Sequence, residues 1–145
     1  MVGIGIDHIS ITRILPIEPA AIGHVLARLR AETSGTTARW NLGDRGGCDL
    51  EVTFTRVGDL DCGEPAFVST AALWNPRRDA CVKVSVSLAP CKARESELTL
   101  HPEHTLGEWF AVNLAAYLDL AHAFIEELAQ ELLYQQTRVR DELAG

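Results

Sequence analysis

Hydrophobic and polar positions follow two periods along the chain, changing from one to the other near residue 105. Residues Ile4–Leu15 (IGIDHISITRIL) show partial period-two alternation with several β-branched side chains, and Pro16 and Pro19 follow. This predicts a strand and then a turn. From Glu18 or Pro19 to Arg30, the apolar residues Ile22, Val25, Leu26 and Leu29 recur at spacings of three and four, with Arg28 and Arg30 between them. They predict a short amphipathic helix entered through a proline, whose missing N–H costs nothing in a first turn. Residues 31–48, with ETSGTT and NLGDRGG, read as a long connection with room for a short strand at Ala38–Leu42.

Four strands are predicted next, over Asp49–Val57, Pro65–Trp74, Cys81–Leu88 and Arg94–Leu100. The third has the cleanest pattern: Val82, Val84, Val86 and Leu88 alternate with Lys83, Ser85 and Ser87, so one face is buried and the other wet. The intervening GDLDCGE, NPRRDA and APCK segments suit antiparallel turns and are too short for parallel crossovers. Beyond Thr105, which with Glu108 forms a capping-box pattern, the period becomes helical. Leu106, Phe110, Leu114, Tyr117, Leu118, Ala121, Phe124, Ile125, Leu128 and Leu132 form one stripe, predicting a helix of about 30 residues that frays near Gln135–Arg140. Trp109, Val112, Ala116, Leu120 and Ala123 form a second strip beside it. A sheet can cover only one of the two.

Together these elements predict an α+β fold in which a curved antiparallel sheet wraps around a long C-terminal helix. The 145 residues suit one domain, 1–145, with a substantial core. The formal charge of −7 argues against a nucleic-acid partner, since the nearest basic cluster, Pro76-Arg77-Arg78, reads as a turn. No stretch has the roughly 18 apolar residues of a membrane span, and no cleavable leader is visible, so the expectation is a cytoplasmic protein without membrane insertion. Cys48, Cys62, Cys81 and Cys91 lack paired CxxC spacing and are expected as reduced, mostly buried thiols, with no metal and no cofactor.

Chemistry is harder to place. GDRGG lacks the spacing and the terminal Lys-Ser/Thr of a P-loop and reads as a hairpin or loop. Asp119, His122 and Glu126 share a helical face, where a histidine flanked by carboxylates can act as a general base or bind metal, but the expected reading is a solvated polar stripe. A dimetal centre would need a second such helix. His101 and His104, in LHPEHT, have no third ligand nearby and are expected in exposed or capping roles. No Gly-x-Ser-x-Gly elbow is present.

The opening GIGIDHISITRI resembles the first strand of the holo-acyl-carrier-protein synthases, where Asp7 would match a magnesium-binding aspartate. The Lys-Glu-Ala motif of those enzymes is absent, so Asp7 reads as a strand residue paired with His8 or Arg13. The order of elements across the chain, with HISITRILPIEPAAIGHVLARL at its start, is similar to the START-like or helix-grip superfamily, the polyketide cyclase-dehydrase and Bet v 1-like group. One fewer central strand is counted here than in that pattern. The resemblance implies a cavity for a small apolar molecule such as a lipid or polyketide, between sheet and helix. Phe54, Val84, Val86 and Leu98 are its expected inward residues, with Trp74, Trp109, Asn113 and Tyr117 nearby and Asn113 or Tyr117 orienting the ligand. Against this stands simple core packing, with the polar tips satisfied by backbone. Two alternatives remain: cyclase- or aromatase-like chemistry in the same cavity, and a noncatalytic homodimer built on the second helical strip.

Overall fold

The computed structural model describes residues 9–59, 65–103 and 106–144. Asp7, His8, Cys62, His104 and Thr105 lie outside the described residues. Strand β1 (Ile11–Leu15) leads through a 3-10 turn (Pro19–Ala21) into helix α1 (Ile22–Ala31). Six strands follow: β2 (Thr37–Asn41), β3 (Gly47–Glu51), β4 (Thr55–Asp59), β5 (Pro65–Trp74), β6 (Cys81–Pro90) and β7 (Ser96–Pro102). Helices α2 (Gly107–Val112) and α3 (Leu114–Ala144) complete the chain.

All strand pairs are antiparallel, in the order β1-β7-β6-β5-β3-β2, with β4 also paired to β5. The sheet is curved and open, and the arrangement with its long C-terminal helix is helix-grip-like. The strand expected over Asp49–Val57 is a bent pair. Leu50 faces Ala71 and Thr55 faces Val68, so five steps along this strand match three along β5. The two surplus residues form a bulge at Val52–Phe54, which bends the strand and strengthens the local twist. Ser69 Oγ donates to the Glu51 carbonyl at the bend, supplying a partner that the interrupted ladder cannot. Val52 and Phe54 stay buried, in phase with Cys48 and Leu50.

The inner face of the sheet follows strand parity. Ile11 and Leu15 on β1, Ala71 and Leu73 on β5, the four alternating residues Val82–Leu88 on β6, and Leu98 and Leu100 on β7 are buried in one cluster. α3 supplies the opposing surface with Tyr117, Leu120, Ala121, Phe124, Leu128 and Leu132. Both edges of the sheet reach this helix. On β1, Arg13 forms an ion pair with Glu126, and just before that strand the Ile9 carbonyl accepts a bond from the Tyr117 hydroxyl at 3.3 Å. On β2, the Trp40 ring meets Phe124 edge-on, 5.5 Å between centroids.

At 31 residues α3 spans about 46 Å, more than a ten-residue strand covers. α1 packs along its C-terminal half. Gln135 donates to Glu32 at 2.6 Å and to Glu131 at 2.9 Å, and Gln136 donates to the Pro16 carbonyl at 3.0 Å. This cover explains why the helix continues beyond Gln135 instead of fraying there. The predicted single helix from residue 105 is broken at Asn113, which has φ −121° and ψ 52°. Its side-chain amide donates to the Trp109 carbonyl at 2.8 Å, the same acceptor that its own backbone N–H uses at 3.1 Å. Such side-chain competition for a helical carbonyl favours a bend. Leu106 occupies the N-cap position of α2 and no side chain caps it.

Candidate functional site

The eight residues expected around a cavity fall into three groups. Phe54, Val84, Val86, Leu98 and Tyr117 belong to the packed core, and the last four have no measurable exposure. Trp109 and Asn113 sit half-buried at the α2–α3 bend, where Trp109 packs edge-on against Phe110 at 4.8 Å and Phe110 does so against Tyr117 at 6.3 Å. Trp74 is on the other side of the sheet. Ala71 and Leu73 point inward on β5, so parity turns Trp74 outward, and its indole N–H donates to Asp49 at 3.2 Å. Trp74 therefore cannot line a space between sheet and helix.

The two polar groups expected to orient a ligand are bonded within the protein. The Asn113 amide is held by Trp109 and the Tyr117 hydroxyl by the Ile9 carbonyl. Burial raises the pKa of Tyr117 well above the usual phenol value, so the hydroxyl remains a neutral donor throughout the physiological range.

A groove of about 620 Å³ lies elsewhere, between α3 and the turn that joins β2 to β3. Leu42 and Ala123 give it apolar surface. Asn41, Arg45, Asp119, His122, Glu126 and Glu127 give it polar surface. Helical spacing brings Asp119, His122 and Glu126 to this side of α3, and all three are exposed. Glu126 is engaged by Arg13, whereas the His122 imidazole has no hydrogen-bond or ion-pair partner among the described residues. No described acceptor therefore fixes the tautomer or the aim of this imidazole. Among the described residues no three His, Cys, Asp or Glu side chains converge as metal ligands. The turn residues Leu42 and Arg45 were not among those that core patterning selects, because a turn carries no periodic signal.

His101 is half-buried on the outer face of β7, and its Nδ1 is hydrogen-bonded to the Ser10 hydroxyl. No carboxylate orients the other ring nitrogen among the described residues, so the pair lacks the third member of a nucleophilic triad. The thiols also depart from expectation. Cys48 is buried, with its pKa raised by burial and then by Asp49, partly offset by Arg78; Cys81 and Cys91 are exposed. Cys81 opens β6 on the outward parity, opposite Val82, and Cys91 lies in the turn after that strand.

The NLGDRGG segment forms a 3-10 turn (Gly43–Arg45) whose backbone donors are used locally. Leu42 donates to Gly46, Gly46 to Gly43, and Gly43 to the Asn41 side chain. Those N–H groups therefore cannot cradle a phosphate. No described helix is long and apolar enough to cross a membrane. No family model, curated protein or solved structure matches the chain significantly.

Proposed function

We propose that the chain is a noncatalytic small-molecule-binding domain of START-like type, and that its ligand occupies the groove between α3 and the β2–β3 turn. The groove itself carries this reading. Its volume of about 620 Å³ falls within the range of ligand sites, and it combines an apolar patch with a few hydrogen-bonding groups, the combination that holds and orients a medium-sized molecule. Binding deeper, among Val84, Val86 and Leu98, would require displacing side chains that already fill the core, at a cost of strain in a close-packed interior. The ligand expected at the groove is a small molecule with an apolar body against Leu42 and Ala123 and a polar end at His122, Asn41 or Arg45.

The test is native mass spectrometry of protein purified from its own host. An adduct of a few hundred daltons that is lost on denaturation, and is reduced in Ala123→Trp at an unchanged melting temperature, supports the groove. An adduct indifferent to Ala123→Trp but sensitive to Trp109→Ala would move the ligand to the α2–α3 bend. A clean dimer with no adduct, and no thermal stabilisation by apolar small molecules, would replace this reading with that of a homodimeric structural protein.

A further inference from the structure

We propose that Arg39 and Arg78 form a second binding site, on the face of the sheet turned away from α3, for the oxyanion of a phosphate- or carboxylate-bearing small molecule. This proposal is independent of the groove reading. Both arginines are organised around Asp49 on β3. Arg39 Nε donates to Asp49 Oδ1 at 2.9 Å, and Arg78 Nη2 donates to Asp49 Oδ2 at 2.9 Å. Trp74 Nε1 shares the second oxygen at 3.2 Å, and the Arg78 guanidinium lies over the Trp74 ring, 4.9 Å from its centroid. One carboxylate thus faces two cations, leaving the cluster with a net positive charge in a chain of formal charge −7.

The arginines line a hollow of about 300 Å³, together with Asn41, Gly46, Gly47 and Pro76. Each guanidinium has five N–H donors, and Asp49 takes only Nε–H of Arg39 and one Nη2–H of Arg78. The remaining donors have no protein acceptor among the described residues. Planar guanidinium forks suit the paired oxygens of a phosphate or carboxylate, and charge-assisted bonds of this kind are the stronger class.

Arg78 is placed by the turn that joins β5 to β6. It is the one non-glycine residue with positive φ among those described, at 55°, a conformation costing on the order of 1 kcal/mol or more. Asn75, almost fully buried, holds the turn in this shape. Its Oδ1 accepts from the Asp79 and Ala80 N–H groups, both at 3.1 Å, and its carbonyl accepts from Arg78 N at 2.9 Å. The floor of the hollow is close backbone packing that only glycine permits: a Cβ on Gly46 would sit 2.0 Å from the Trp74 carbonyl oxygen, and one on Gly47 would sit 2.9 Å from the Trp40 carbonyl oxygen and 3.2 Å from Arg78 Nη1.

The Trp74 indole N–H and the arginine Nε–H signals, followed by NMR at constant ionic strength, report on the site directly. Inorganic phosphate and acetate are titrated separately. A saturable shift of Trp74 and Arg78, weakened at least tenfold in Arg39→Gln at an unchanged melting temperature, is the expected result. Saturation by phosphate alone assigns a phosphate ester, and tighter saturation by acetate assigns a carboxylate. If neither anion saturates the signals, or if Arg39→Gln titrates like the parent protein, the proposal is overturned.

Discussion

Phe124→Ala tests whether the sheet holds α3 at its β2 edge. Phe124 is completely buried, and its ring meets Trp40 at an interplanar angle of 71°. Truncating a buried phenylalanine costs about 3–5 kcal/mol through lost transfer energy and the cavity left behind. Of this, roughly 0.5–1.5 kcal/mol belongs to the edge-to-face pair itself. In a chain of this length each kcal/mol lowers the melting temperature by about 2–4 °C, so the variant should melt roughly 6–20 °C lower. Equilibrium urea unfolding followed by circular dichroism gives the free energy. A double-mutant cycle with Trp40→Leu isolates the pair, and its coupling should lie in the same 0.5–1.5 kcal/mol window. The β2 amides should exchange faster with solvent in Phe124→Ala, because the helix no longer anchors that edge strand. Val112→Ser, at a position 76% exposed, serves as the control and should change stability by no more than about 0.5 kcal/mol. A loss below about 1 kcal/mol for Phe124→Ala, or a coupling of zero with Trp40, would refute this account of how helix and sheet are joined.

Stability should also fall in alkali. Burial raises the pKa of both Tyr117 and Cys48, so their contribution is complete below the unfolded-state values, near 9.0 for the thiol and 10.0 for the phenol, and is lost as pH rises above them. Urea midpoints measured from pH 8 to 11 should decline, and Tyr117→Phe, itself destabilising by about 1–3 kcal/mol through the unpaired Ile9 carbonyl, should show a shallower decline; an equally steep one would show that Tyr117 does not titrate with unfolding. Under native conditions a thiol reagent should modify Cys81 and Cys91 rapidly and Cys48 only on unfolding, with peptide mapping as the readout; fast labelling of Cys48 would contradict its burial.

Local patterning was sufficient for the elements whose neighbours in sequence are also their neighbours in space. The alternation from Val82 to Leu88 identified β6 and its buried face, and Pro65–Trp74 coincides with β5, because adjacent antiparallel strands read the same period-two signal. The apolar recurrence from Ile22 to Leu29 likewise identified α1 and the side that it buries. The α+β class, the antiparallel sheet and the long final helix followed from the change of period.

Tertiary structure decided the rest, wherever the deciding contact lies far away in sequence. The bulge at Val52–Phe54 is invisible in the sequence because the residues that set the register, Val68 and Ala71, lie on another strand. The extension of α3 depends on α1, through pairs such as Gln135 with Glu32, about a hundred residues apart. Side-chain identity marked Trp74 as a cavity aromatic, yet strand parity and the Asp49 carboxylate place it on the opposite face. Arg39, Asp49 and Arg78 come from three separate segments, and none is distinctive within its own stretch. Short-range periodicity determines which residues are helix or strand and which of their faces are buried; the meeting of distant charged side chains is set by how those elements pack.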